Sequence, residues 1–187
     1  MRDDKRQRIL SAATAVFAER DYHQVLVSEV ASRARVGKGT VYLYFPTKDK
    51  LHRVALEGSL ERVASEVERA ADADAPAHEV LREIVAAILG FFWRRPHLLA
   101  VVQRFEQRHP ARERRRRVVS AIERVLVRHR LGDGGGRQLD AVFLLGLART
   151  AILEHTNGDR PETVAGRIVD LYLHGVGGPG ARRRTAS

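Results

Sequence analysis

The sequence predicts an all-α protein with two domains, a small three-helix domain that contains a helix-turn-helix and a larger helical domain. Apolar side chains recur at spacings of three and four residues along most of the chain, which is the period of an amphipathic helix. No alternating β-branched run beside a hairpin turn interrupts this pattern. Prolines are tolerated near the first turn of a helix, and five stand where the apolar pattern pauses: Pro46, Pro76, Pro96, Pro110 and Pro161.

The first fifty residues hold three predicted helices. The first carries an apolar stripe formed by Ile9, Leu10, Ala13, Val16 and Phe17. The second carries a shorter stripe formed by Val27, Val30, Ala31 and Ala34. A short turn joins the second helix to a third, which lies within residues 35–51. This order and spacing are typical of a helix-turn-helix.

The third predicted helix combines an apolar side with a polar and aromatic side. Its spacing turns three apolar residues inward: Val36, Val41 and Phe45. Four residues with hydrogen-bond donors or rings remain outside: Lys38, Thr40, Tyr42 and Tyr44. Such groups can meet phosphates and base edges of DNA. The alternative is a merely solvated face, but the two preceding helices agree with the DNA-reading arrangement.

The run from Lys38 to Lys48, followed by Leu51, resembles the DNA-binding domain of the TetR family of bacterial transcriptional regulators. The resemblance implies that Thr40, Tyr42 and Tyr44 contact DNA and that Lys48, at the start of the fourth helix, holds a phosphate. The complete predicted DNA-binding set is Arg35, Lys38, Gly39, Thr40, Tyr42, Tyr44 and Lys48.

The chain departs from the family pattern at four places. Asp21 replaces a glycine after the first helix, and Val25 with Leu26 replaces a threonine pair that would cap the second helix. The missing cap is worth about 1 kcal/mol. Arg35 replaces the turn glycine, at a cost of about 1 kcal/mol if its backbone is left-handed, and adds a cation beside the DNA. Gly37 replaces a serine cap, which typically costs a few tenths of a kcal/mol.

Charge and composition agree with a polyanionic partner. The formal net charge is +10, and residues 1–50 contribute +4 and contain all four lysines. There are no cysteines, which excludes disulfides and Cys-type zinc sites and fits the cytoplasm. The polar opening residues predict no export signal, and the apolar run from Ile84 to Trp93 is too short to span a bilayer.

The apolar pattern after residue 46 predicts six further helices, approximately over residues 47–71, 76–94, 96–108, 110–130, 136–155 and 161–175. The glycine-rich segment 132–136 lacks the Lys-Ser/Thr pair of a phosphate-binding loop and is interpreted as a helix connection. The predicted domains are therefore 1–46 for DNA binding, 47–176 for ligand binding and dimerisation, and 177–187 as a disordered tail.

Two helices of the larger domain, 76–94 and 136–155, are apolar on more than one face. The family resemblance implies that the last two helices pair with those of a second copy in a homodimer; the alternative is a deep monomeric core. It also implies a small-molecule site, for which the candidate lining residues, each equally compatible with ordinary core packing, are Ile84, Ile88, Phe92, Leu99, Val102, Phe105, Phe143 and Leu147. The arginines of 112–117 are interpreted as a solvated face, or less simply as a second nucleic-acid patch.

The sequence offers no HExxH pair, acid–base pair, nucleophile constellation or cofactor loop. We therefore expect no enzymatic activity, no catalytic residue, no cofactor and no metal. The predicted function is a sequence-specific DNA-binding regulator, a repressor that a small apolar or amphipathic effector releases from its operator. The alternatives are an effector-independent architectural DNA-binding protein and a helical enzyme with a DNA-binding domain.

Overall fold

A computed structural model describes residues 2–95, 109–131, 136–154 and 158–175. Within these ranges the chain forms α-helices and no β-strand, so the predicted all-α class is confirmed. The helices are α1 (Arg2–Glu19), α2 (Val27–Arg33), α3 (Lys38–Tyr44), α4 (Lys48–Ala71), α5 (Ala77–Trp93), α6 (His109–Arg128), α7 (Arg137–Leu153) and α8 (Pro161–His174). A short 3-10 turn, Tyr22–Gln24, follows α1. The helix predicted over 96–108 and the predicted tail lie outside the described residues.

The chain separates into two compact units, Met1–Arg62 and Val63–Ser187. We call them the head unit and the C-terminal unit and describe each by itself. The division falls within α4, whereas the sequence-based boundary was placed at residue 46, just before that helix begins; that boundary stays a prediction about domains.

The head unit is built around one apolar core. The inward residues of α1, α2 and α3 meet the first turns of α4, and the fully buried side chains include Ile9, Ala13, Val25, Val30 and Val41. Phe45, directly after α3, is only 2% exposed and closes this core. The stripes expected from sequence for the first two helices are thus the packed faces of α1 and α2.

The C-terminal unit is organised around α5, which packs against α6, α7 and α8. Contact with three helices explains why α5 is buried on several faces, at Val80, Leu81, Ile84, Val85, Ile88, Leu89 and Phe91. Gly90 lies where α8 begins, and a Cβ there would stand 3.6 Å from Cγ of Pro161. A Cβ at Gly90 would therefore be in ordinary van der Waals contact with the first residue of α8.

Arginines of α6 hold the end of α4. The Arg117 guanidinium donates two hydrogen bonds to the Glu68 carboxylate, at 2.9 and 2.6 Å. Arg128 donates to the backbone carbonyls of Ala71 and Ala73, at 3.0 and 3.1 Å. The hydrogen bonds from Arg128 satisfy carbonyls at a helix C-terminus, where cations are favoured, and Arg117 forms an ion pair near the same end. The arginine-rich run of α6 is therefore not wholly a solvated face, since its last member pairs with α4.

No helix among the described residues has the length and apolar character needed to cross a bilayer. The same residues contain no group of three or more His, Cys, Asp or Glu side chains arranged to hold a metal ion.

Candidate nucleic-acid interface

α3 is the helix of the head unit that carries the predicted DNA-reading residues. Val41 is fully buried and fixes which side of α3 faces the core. Lys38, Gly39 and Tyr42 are exposed. Thr40 is half-buried, and so is Tyr44, whose side chain packs against the core. The structure thus leaves Lys38, Gly39 and Tyr42 exposed, while Thr40 and Tyr44 are half-buried.

Leu43 was missed by sequence reasoning and is the most exposed large apolar side chain of the described residues, at 84%. It lies about 200° around the helix from Val41, because each residue of an α-helix turns by about 100°. Periodicity alone would have placed it outward, but a search for hydrogen-bond donors passes over a leucine.

In the turn before α3, the backbone of Arg35 is left-handed, with a φ of +54°. The N–H groups of Arg35 and Val36 donate to the carbonyls of Ser32 and Ala31, both at 3.0 Å, which is the hydrogen-bond pattern of a Schellman helix end. A non-glycine residue in this conformation costs about 1–2 kcal/mol. Arg35 is therefore left-handed, and the expected cost of having an arginine in place of the turn glycine applies.

Arg8 of α1 supports the same turn, a contact that the sequence did not reveal. Its guanidinium donates to the backbone carbonyl of Ala34 at 2.9 Å and to that of Arg35 at 3.2 Å. These hydrogen bonds satisfy carbonyls that the end of α2 leaves free. They also link α1 directly to the turn that sets the direction of α3.

The start of α2 has no side-chain cap at Leu26, as expected, yet one half of a capping box is present. The Glu29 carboxylate accepts the Leu26 N–H at 3.0 Å, and Arg20 lies 2.9 Å from the other carboxylate oxygen. The hydrogen bond from Leu26, followed by the interaction with Arg20, lowers the pKa of Glu29. A glutamate at the third helical position was the available sequence signal for this contact.

Gly37 and Gly39, at the start of α3, leave the backbone there uncovered by side chains. Gly37 is the N-cap, and its carbonyl accepts the Thr40 N–H at 2.9 Å without help from a side chain. A Cβ on Gly39 would meet no atom within 4 Å. The absence of a side chain at Gly39 therefore serves no packing purpose inside this chain and lets a ligand approach the backbone closely.

The predicted phosphate contact, Lys48, lies at the first position of α4 and is half-buried. Thr47 caps this helix, since its hydroxyl oxygen accepts the Lys50 N–H at 3.1 Å. The Lys48 ammonium lies 4.3 Å from the centroid of the Tyr22 ring. The Tyr22 hydroxyl donates a hydrogen bond to the Asp49 carboxylate, which raises the pKa of Tyr22 to about 12. Tyr22 was not predicted to belong to this site.

The candidate ligand-lining residues do not share one environment. Ile84 and Ile88 are buried in the core of the C-terminal unit, and Phe92 and Leu147 are half-buried against it. Phe143 instead lies on the outside of α7 and is 56% exposed. The other three candidates, Leu99, Val102 and Phe105, lie outside the described residues. Ligand contact by this set stays a prediction.

The exposed side of α7 forms an apolar stripe, which we call the α7 stripe. It follows a spacing of four and three residues along the helix and consists of Leu139, Phe143, Gly146, Thr150 and Leu153. The three large side chains are 54%, 56% and 59% exposed, in chain order. The opposite side of α7 is buried through Ala141, Leu144 and Ala148, so the stripe is surface that this unit does not cover by itself.

Comparison with known proteins finds a family model and relatives that are similar to this chain. Residues 9–54 match the family model described as "Bacterial regulatory proteins, tetR family". The chain is 28% identical over 184 residues to the uncharacterized HTH-type transcriptional regulator YhgD of Bacillus subtilis, covering 91% of this chain and 95% of that protein. It is 31% identical over 118 residues to the fatty acid metabolism regulator protein of the same species, covering 61% and 58% of the two chains.

The fold is also that of solved regulators. The crystal structure of the transcriptional regulator FadR from Bacillus subtilis, in complex with stearoyl-CoA, superimposes with a TM-score of 0.65 at 21% identity, over 91% of this chain and 98% of that one. Further relatives that match about half of this chain include proteins named as transcriptional repressors and one named as a transcriptional activator.

Proposed function

We propose that this chain, which belongs to the TetR family of bacterial transcriptional regulators, is a repressor. It binds its operator as a homodimer, and an amphipathic effector of the fatty-acyl class releases it from the DNA. The observation that carries DNA binding is the outward face of the head unit. There Lys38, Gly39 and Tyr42 are exposed on a helix whose other side is fixed by buried Val41. A helix of this kind can enter the major groove.

The cations around α3 supply the attraction for phosphates. Arg35 and Lys38 are exposed at the turn and first residue of α3, and Lys48 begins the next helix. Each phosphate neutralised by such a side chain releases counterions and gives affinity that falls with salt. Tyr42, which is 39% exposed, adds a ring and a hydroxyl that can contact the backbone or a base edge.

The α7 stripe supports dimerisation. An isologous interface uses the same patch on both copies, and three large apolar side chains along one helix face provide such a patch. A dimer would present two head units to two half-sites about one helical turn apart. We therefore assign the stripe, including Phe143, to the second copy of this chain.

The effector class follows from chemistry and from the relatives. The buried faces of α5 are apolar, with Ile84 and Ile88 in the core of the C-terminal unit, and an aliphatic chain is the ligand part that suits such a lining. A relative is named for fatty acid metabolism, and a protein of the same fold was crystallised with stearoyl-CoA. A ligand that prefers the DNA-free state must weaken DNA binding by the same factor by which DNA weakens its own binding.

A two-stage selection tests the proposal. The purified protein is mixed with fragments of the genome that encodes it, and bound DNA is sequenced; a small number of palindromic sites should be enriched. Binding to the best site is then measured with stearoyl-CoA, stearate and free CoA. We expect stearoyl-CoA or stearate to weaken binding by about 5- to 150-fold and free CoA to have no effect.

Two variants control the selection. The double variant Tyr42→Ala, Lys48→Ala should enrich nothing, while Arg69→Ala, which removes an exposed cation from the last turn of α4, should enrich the same sites as the wild type. Enrichment without sequence preference would favour an architectural DNA-binding protein. Acyl compounds that strengthen binding, or that have no effect, would contradict release by this effector class.

A further inference from the structure

The side chain of Lys48, the first residue of α4, lies against the ring of Tyr22, which belongs to a different element. Tyr22 lies in the 3-10 turn after α1, 26 positions before Lys48 in the chain, and the Lys48 ammonium is 4.3 Å from its ring centroid. A cation within about 6 Å of an aromatic face is attracted by the negative charge above the ring. The contact therefore fixes a long side chain that would otherwise sample many rotamers.

The Tyr22 ring is itself held from several sides. It stacks on Phe17, with ring planes 9° apart and centroids separated by 6.3 Å. Its centroid also lies 5.0 Å from the centroid of the His52 ring. Its hydroxyl donates to Asp49, the residue after Lys48. The ring thus touches the side chain of one residue of α4 and is anchored by the next. A ring held in this way is a fixed support for the ammonium.

The charge of Lys48 stays available for an anion. Within the described part of the chain, no carboxylate lies within ion-pair distance of its ammonium. The ion pairs of the head unit join other residues, such as Arg20 with Glu29 and Arg33 with Glu19. The carboxylate nearest in sequence, Asp49, accepts the Tyr22 hydroxyl. An aromatic ring holds a cation without neutralising it, whereas a carboxylate would compete with phosphate.

We propose that Tyr22 is a positioning residue, which holds the Lys48 ammonium at the start of α4 in the place where it meets a DNA phosphate. This inference rests on the proposed DNA binding. Lysine loses more rotamer freedom than most residues when it is fixed, so a side chain held before DNA arrives loses less on binding. Tyr22 need not touch DNA itself.

The test compares Tyr22→Phe, which keeps the ring, with Tyr22→Leu, which removes it, in the wild-type protein and in Lys48→Ala. The probes are the duplex that the wild type enriches most and a random-sequence duplex, each titrated over a series of salt concentrations. Lys48→Ala should lower the slope of log K against log salt by about 0.9 per head unit.

Tyr22→Leu should lower affinity by about 2- to 5-fold per head unit, and by about 4- to 25-fold for a dimer. Tyr22→Phe should stay within about 2-fold of the wild type, since the ring is what holds the cation. In the Lys48→Ala protein, Tyr22→Leu should cause no further loss, because the side chain that it positions is gone. A role limited to folding would instead produce the same loss in both proteins and would overturn the proposal.

Thermal unfolding establishes whether Tyr22→Leu is folded. If it is not, fluorinated phenylalanines at position 22 supply the second measurement, because they keep the ring shape and weaken the negative charge above it. Affinity should then fall stepwise with fluorination, and a constant affinity overturns the proposal.

Two other outcomes separate this proposal from the proposed function. A wild type without salt-dependent DNA binding would remove the proposed function itself. A wild type that binds DNA while Lys48→Ala leaves the salt slope unchanged would remove only the positioning role.

Discussion

The head unit and the C-terminal unit both have closed apolar cores, but they differ in what they leave outside. In the head unit the exposed apolar side chains are scattered: Leu26 precedes α2, and Leu43 stands beside Lys38 and Tyr42 on α3. In the described part of the C-terminal unit three of them are aligned, since Leu139, Phe143 and Leu153 follow one face of α7, while Val127 and Leu171 stand singly on α6 and α8. Single exposed apolar residues are normal on protein surfaces, whereas a contiguous patch marks an interaction site.

This difference indicates what each unit requires to be complete. The polar and cationic outside of the head unit is stable in water and needs only DNA to perform its function. The C-terminal unit exposes an apolar stripe, which under the proposed function a second copy of the chain covers. The proposed function therefore divides recognition between the two units, with phosphate and base contacts on the head unit and apolar association on the C-terminal unit.

The largest expected effect comes from placing charge on the α7 stripe. In the double variant Phe143→Glu, Leu153→Glu, four carboxylates would be desolvated across a symmetric dimer, at a cost of several kcal/mol. We expect sedimentation to report a monomer and operator affinity to collapse, because a single head unit makes half of the contacts. Each unit should keep its helical circular dichroism, since both side chains are exposed.

The control for this variant is Val127→Glu, which charges a 50% exposed apolar residue on α6. It should leave both the dimer and DNA binding unchanged, because an isolated exposed valine is not part of a stripe. If the stripe variant remains dimeric, the interface lies elsewhere and the contrast between the two units is lost.

The sequence predicted the head unit well because its determinants are local. The stripes of α1 and α2 and the inward position of Val41 follow from helical period alone. Tyr44 was expected outside with Tyr42, yet it lies about 60° from Val41 around the helix, since three residues turn the chain by about 300°. Tyr44 therefore lies next to the buried side of α3. The sequence of a short helix with polar residues near its core face does not reveal that position.

Contacts between distant parts of the chain were not predictable. Arg8 reaches carbonyls 26 and 27 positions away, and Arg117 pairs with Glu68 across 49 positions. Such pairs depend on how helices pack, which no local spacing records. Phe143 shows a different difficulty: α7 is apolar all round, so the pattern has no phase that tells its inner side from its outer side.

A smaller effect is expected from substituting two arginines that have the same left-handed backbone, one in each unit. Arg35 and Arg130 both have a positive φ, +54° and +55°, and Leu131 donates to the Leu126 carbonyl at 2.8 Å as Val36 does to Ala31 at 3.0 Å. Glycine adopts this conformation without the strain of a side chain. Arg35→Gly and Arg130→Gly should each stabilise the protein by about 1 kcal/mol, measured by urea unfolding.

The two glycine variants should differ in DNA binding. Arg35→Gly removes a cation beside α3 and should lower the salt slope by about 0.9 per head unit, although the protein becomes more stable. Arg130→Gly should leave the slope unchanged and serves as the matched control. Equal slopes for Arg35→Gly and the wild type would mean that Arg35 makes no phosphate contact.

The smallest expected effect concerns one glutamate in each unit, both held by charge-assisted hydrogen bonds. The hydrogen bonds from Arg117 lower the pKa of Glu68, and the hydrogen bond from the Leu26 N–H, with Arg20, lowers the pKa of Glu29. A carboxyl whose pKa is lower when folded contributes stability above the ordinary glutamate pKa of 4.5. That contribution is lost as the pH falls through the folded pKa. The free energy of unfolding should therefore decrease below pH 4.5 for this reason among others.

Glu68→Gln and Glu29→Gln isolate these two contributions. At neutral pH Glu68→Gln should destabilise the protein by less than about 1 kcal/mol, since the pair is partly solvated, and its difference from the wild type should shrink toward zero as the pH falls below 4.5. Glu29→Gln should show the same direction with a smaller amplitude, because glutamine can still accept the Leu26 N–H. Glu66→Gln, at an exposed position of α4, supplies the control. Differences that stay constant from neutral to acid pH would show that neither carboxylate is stabilised in the folded protein, in the head unit or in the C-terminal unit.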